Sequence, residues 1–296
     1  MKKFKARGHA TLQADADADA LICKVAIDIA KEGKMVVDVG EHIDLLCLLV
    51  AGTSPTGGDI IFLKGGKGTQ PQHTYSIHDI QTENPMWVNN ILFAHTISGC
   101  DTVSAFYSKG KFGTFKKIQK KDTAYIAEIF NDLHSTKEVI CTAATQYVLL
   151  LYNAPLKIKF VKDLRYFLFM RSASKTSVYL ASLSLTVDAI HLHALHAYHQ
   201  IQVWRGNEPP PLQYGWYREG GQLLPTRMST LLAPQDLSKI ISCACLKGCL
   251  SACSCCKAGQ SIFVMNYLIF LKLISRFTFQ ASNVHNCVQV VWGYHV

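Results

Sequence analysis

Ala18, Leu21, Ile22, Val25 and Ile29 recur at helical spacing, so residues 17–32 read as a helix with one apolar face. The run Lys34-Met35-Val36-Val37-Asp38-Val39 then reads as a short buried strand. Residues 45–50 remain apolar and turn helical, residues 52–58 form a loop, and residues 60–63 form a second strand. A Gly- and Lys-rich turn occupies 64–72. Strands alternating with helices predict a parallel sheet. From about residue 116 the pattern is mostly helical, over 125–133, 136–152 and 187–203. A break follows at 206–211, stiffened by Pro209-Pro210-Pro211.

Carboxylates punctuate this pattern. Asp15, Asp17 and Asp19 alternate with alanine at the start of the first helix, and Gly40-Glu41-His42-Ile43-Asp44 closes the first strand. Ligands of α/β sheets bind at the carboxyl ends of strands, where these two groups can meet. Converging carboxylates repel one another unless protons or divalent ions neutralise them, and hard oxygen ligands suit Mg²⁺ or Mn²⁺. The simpler alternative is that the aspartates cap a helix and complement its dipole.

A third acidic position lies in His95-Thr96-Ile97-Ser98-Gly99-Cys100-Asp101-Thr102-Val103-Ser104-Ala105-Phe106. With Gly40-Glu41-x-x-Asp44 and the helix-borne pair, this segment resembles the PIN/flap-endonuclease-like nuclease superfamily. It is most similar to an uncharacterised, transposon-associated animal group within it. The resemblance covers residues 10–257, and Gly99-Cys100-Asp101 is its most specific part. It implies metal-dependent phosphodiester hydrolysis, with Asp17, Asp19, Glu41, Asp44 and Asp101 as catalytic residues. Asp17, Asp19, Asp44 and Asp101 would hold Mg²⁺ or Mn²⁺, because two-metal hydrolysis needs clustered oxygen ligands. Two departures stand out. His42 replaces an Asp of the group's pattern and supplies no negative charge. No strand bearing a further metal-binding Asp is found before residue 10. The expected product is a degenerate or fragmentary nuclease, and the rival is a non-catalytic nucleic-acid-binding protein.

The basic residues point to the same partner. Lys109, Lys111, Lys116 and Lys117, with Lys120 and Lys121, follow Asp101 where flap endonucleases place a backbone-gripping helix–hairpin–helix. Ser108 stands where that hairpin usually has Gly. The plainer reading of the lysines is a solvated helix face. The net charge of +9 favours a polyanion, with DNA expected over RNA. His191, His193, His196 and His199 read as structural or surface residues.

Cys243, Cys245, Cys249, Cys253, Cys255 and Cys256 are dense enough to wrap Zn²⁺. They resemble the first part of a tesmin/TSO1-like CXC module; the alternative is unliganded thiols. Eleven cysteines without a signal-peptide pattern predict a reduced intracellular setting, nuclear before cytoplasmic. Residues 262–273 are too short and too interrupted to span a bilayer, so no membrane is expected.

These readings combine into an α/β fold. An incomplete PIN-like parallel sheet with flanking helices occupies 10–115, a helical region 116–205, and a linker with the Cys-rich element 206–257. The tail at 258–296 changes character abruptly and is set apart from the fold. Oligomeric state is not legible.

Overall fold

The computed structural model describes residues 2–14, 17–66, 68–69, 71–118, 121–173 and 182–228. The Cys-rich element, the tail and Asp15 lie outside them. The chain divides into two units, each discontinuous in sequence. Among the described residues, the first comprises those within 1–105, 109–140 and 193–215, and the second those within 106–108, 141–192 and 216–228.

In the first unit a short helix α1 (Lys2–Lys5) precedes α2 (Ala18–Lys31), which forms where the apolar spacing predicts. Asp17 caps it: one carboxylate oxygen accepts from the Asp19 N–H at 2.9 Å and the Ala20 N–H at 3.4 Å. Strand β1 (Val36–Val39) and strand β2 (Ile60–Lys64) run parallel, with Val36 opposite Ile60 and Asp38 opposite Phe62. Helix α3 (Ile43–Gly52) joins them and buries Leu45, Cys47, Leu48, Leu49 and Val50. Polar β3 (His73–Ser76) then pairs antiparallel to β2, so the sheet is mixed, in the order β1-β2-β3.

Among the described residues β1 pairs only with β2, which makes it an edge strand and not the buried strand its sequence suggests. Its side chains alternate across the pleat: Asp38 is buried, while Val37 and Val39 are 55% and 68% exposed. A valine-rich run resembles an interior strand, but burial depends on what covers each face.

Helices α4 (Ile77–Glu83) and α5 (Pro85–Ile97) follow. Every residue from Asn90 to Ile97 is buried, so α5 has no solvent face in its second half and forms the unit's spine. Helices α6 (Lys111–Ile118) and α7 (Lys121–Asn131) pack against it, with Phe93 and Phe130 rings 4.7 Å apart. Helix α8 (Lys137–Leu151) leads into the second unit and α10 (Val187–Trp204) returns from it. The returning half of α10 is fastened by polar side chains. Tyr198 donates to the carbonyls of Asp132 and Leu133 at 2.9 and 3.0 Å, and Gln202 donates to Phe130 at 2.9 Å.

The second unit is built on the end of α8, helix α9 (Val161–Ala173) and the start of α10. Its core includes Tyr147, Val148, Leu151, Val161, Leu164 and Leu168. Arg165 is buried there and donates to the Ser184 carbonyl; burial lowers its pKa to about 10. A hairpin of β4 (Trp216–Glu219) and β5 (Gln222–Pro225) turns through Gly220 and Gly221, both at positive φ as a tight two-residue turn demands.

Candidate functional site

The N-terminus of α2, the first turn of α3 and the turn after α5 bring Asp17, Asp44 and Asp101 within electrostatic reach of Asp19. Asp19 is the common member. Burial pushes its carboxyl up, His42 pulls it down, and Asp17, Asp44 and Asp101 each raise it further. Acids from all three motifs therefore bear on the one carboxyl of Asp19, an arrangement that capping alone does not require.

Gly99 builds the third motif. Its φ of +110° is open to glycine, and a Cβ there would lie 2.8 Å from the Ala105 Cβ. Cys100 and Val103 then close a tight turn with two backbone hydrogen bonds of 2.9 and 3.2 Å. Asp101 sits exposed at its tip, and Thr102 donates to Gln200 at 2.7 Å.

Protein groups already engage most of these carboxylates. Besides capping α2, Asp17 accepts from the Trp204 indole N–H at 3.1 Å. Asp19 stands 3.6 Å from His42 Nδ1. Asp44 receives His95 Nε2–H at 2.9 Å. Burial works against the Asp44 charge, but the hydrogen bond and charge of His95, with Lys111 and His42, prevail and hold its carboxyl below the usual range. His95 is fully buried and stacks on Trp204, ring centroids 5.9 Å apart. Its Nδ1 has no hydrogen-bond partner among the described residues. Glu41 is exposed in the loop after β1.

Asp38 was missed. It is only 7% exposed, one of its oxygens has no hydrogen-bond partner, and burial followed by Asp19 raises its carboxyl. An Asp inside an otherwise apolar strand was the available signal. Asp38→Asn should raise the melting temperature measured without divalent ions. It removes a buried charge facing Asp19 and offers that carboxylate an N–H donor. An unchanged or lower melting temperature would contradict that picture.

An orphaned buried oxygen amid mutually repelling acids suits a hard cation in charge. Spacing suits it less: among the described residues no three His, Cys, Asp or Glu side chains stand close enough to hold one ion. The arrangement supplies no geometry for a hydrolytic step through a bound metal.

The lysines divide. Lys111 turns inward, donating to the carbonyls of His95 and Gly99, and so closes the C-terminal end of α5 while facing Asp44. Lys116 lies over the Phe112 ring, 4.5 Å from its centroid, and Phe112 is 74% exposed. Lys109 and Lys117 flank this position. Ser108 adopts φ +55°, the conformation for which glycine is the usual residue.

Three of the four histidines of α10 are tied to the backbone. His193, His196 and His199 each meet a backbone carbonyl, of Ile97, Gly215 and Pro209, at 2.9, 2.7 and 3.1 Å. No described helix is long and apolar enough to cross a membrane. Among known proteins, no family model, curated protein or solved structure matches the chain.

Proposed function

We propose that this chain is a degenerate metal-dependent nuclease: a nucleic-acid-binding α/β scaffold that keeps an acidic cluster but has little or no turnover. The observation that carries the reading is the gathering of Asp17, Asp44 and Asp101 around Asp19, whose carboxyl they raise, with buried Asp38 close enough to Asp19 to be raised by it. Loss of catalytic power follows from what the protein has placed around the acids. His42 favours the charged form of Asp19, and His95 and Lys111 do the same for Asp44, each acting in the sense of a cation. A divalent ion entering this cluster gains less than it would from unpartnered carboxylates.

The charge of Asp19, Asp38, Asp44 and Asp101 would draw Mg²⁺ or Mn²⁺ to the cluster only weakly, since no three of the described side chains are spaced to hold one ion; a bound ion would supply positive charge to a phosphodiester. Nucleic acid would be gripped by Lys109, Lys116 and Lys117, with Lys111 reserved for the α5 terminus. Zinc at Cys243, Cys245, Cys249, Cys253, Cys255 and Cys256 remains part of the proposal on sequence grounds alone.

Thermal melting with and without Mn²⁺ tests the cluster. An ion that binds only the folded state stabilises it by about 1.4 kcal/mol at ten times its dissociation constant. Millimolar Mn²⁺ should therefore raise the melting temperature by a few degrees, and Asp101→Asn should diminish the rise. No effect of Mn²⁺ or Mg²⁺ would remove the metal from the reading.

A further inference from the structure

Helix α9 carries apolar side chains on both faces. Val161, Leu164 and Leu168 are buried, whereas Tyr166 and Met170 are exposed. Phe160, the residue before the helix, is 62% exposed. Such residues on a solvent face need a reason, and here basic side chains interleave with them. Lys162 Nζ stands 5.6 Å from the centre of the Phe160 ring, and the Arg171 guanidinium stands 5.6 Å from that of Phe167. Lys159 is exposed beside Phe160, and Asp163 is the one acid of the helix.

Backbone hydrogen bonds fix the path of the chain into this surface. Asn153, at φ +52°, ends α8 while the Ala154 N–H bonds the Leu149 carbonyl at 2.9 Å. Ile158 closes a turn onto Pro155 at 2.8 Å, and the Phe160 carbonyl receives the N–H groups of Asp163 and Leu164 at 3.1 Å each. Phe160 and Lys159 are thus held at the N-terminal end of α9, where the helix dipole adds positive potential.

We propose that the outer face of α9 and the residues leading into it, through exposed Phe160 and Tyr166 and half-buried Phe167 with Lys159, Lys162 and Arg171, is a contact surface for single-stranded nucleic acid. Exposed rings offer faces to unstacked bases of any sequence, and the cations between them suit the phosphates. The helix is about 20 Å long, enough for a few nucleotides. A duplex hides its base faces and would use only the charges. This inference rests on the nucleic-acid reading above but uses residues that reading does not need.

The test is binding of a fluorescein-labelled oligo(dT) 20-mer and of a matched duplex to the full chain, followed by anisotropy. Wild type should prefer the single strand. Phe160→Ala should weaken single-strand binding about tenfold and Tyr166→Ala comparably, while leaving duplex binding almost unchanged. Lys159→Glu with Lys162→Glu should weaken both and flatten the salt dependence. Since these side chains are solvent-facing, melting temperatures should stay near wild type, separating lost contact from lost fold. If wild type binds neither probe, the nucleic-acid reading itself fails. If it binds and the α9 variants match it, while Lys116→Glu with Lys117→Glu abolishes binding, the α9 proposal alone is overturned. Binding to vesicles containing phosphatidylserine, without affinity for oligo(dT), would likewise overturn it and give the surface to a membrane.

Discussion

Replacing His95 by Ala should cost about 3–5 kcal/mol of folding stability, read from urea unfolding at pH 7.5. Asp44 is buried and ionised, and His95 supplies its hydrogen bond. Removing the ring leaves that charge short of its main partner and opens a cavity beside Trp204. His95→Gln, which can donate to Asp44 from a side-chain amide, should recover part of the loss. In a double-mutant cycle with Asp44→Asn the coupling should exceed about 1 kcal/mol, because the two residues share one hydrogen bond. The sign with pH follows from the lowered Asp44 carboxyl. Its contribution is present above the unfolded value and is lost as pH falls through the folded one. A loss below 1 kcal/mol for His95→Ala would show that Asp44 is not held by this ring.

Acidification should destabilise the protein earlier than its carboxylates alone would predict. His193 is fully enclosed, meets the Ile97 carbonyl through Nε2, and has its pKa lowered from 6.5 to about 4, chiefly by burial. Between those values the unfolded chain binds a proton that the folded chain refuses, so stability rises with pH across that window and falls on acidification. The full difference is about 3 kcal/mol. His196 and His199 are shifted in the same direction. Asp19 and Asp38, whose carboxyls are raised, act in the opposite sense and soften the slope at its acid end. His193→Gln retains a donor toward Ile97 without the titration. Its unfolding free energy should therefore vary less between pH 6.5 and pH 4.5 than that of wild type. Parallel profiles for the two proteins would remove His193 as the cause.

Local chemistry was readable and tertiary context was not. The apolar spacing of Leu21, Val25 and Ile29 and the Asp17 cap are properties of α2 itself, and both appear where the sequence places them. The two apolar runs become parallel strands, since each carries its own β-forming side chains. Nothing in Val36 to Val39 encodes whether a neighbour lies on the far side, and so an edge strand read as a buried one. Strand β3 has no alternating pattern; it forms because β2 offers an unpaired side and because Ser76, bonded to Asp59 at 2.8 Å, starts the next helix.

The acidic motifs were legible because glycines and carboxylates mark them. Their relation to His95 was not, because 51 residues separate it from Asp44. Lys111 looked like part of a phosphate-binding run, yet a single turn of chain decides whether an ammonium faces solvent or the carbonyls at the end of α5.

Cleavage of a flap substrate and of a single-stranded oligonucleotide in Mn²⁺, compared between wild type and Asp101→Asn, addresses the degenerate-nuclease reading most directly. Partnered carboxylates without ion-holding spacing predict no product above the Asp101→Asn background, while binding of the same oligonucleotide persists. Robust Mn²⁺-dependent cleavage that Asp101→Asn abolishes would contradict the account and make this chain a working nuclease.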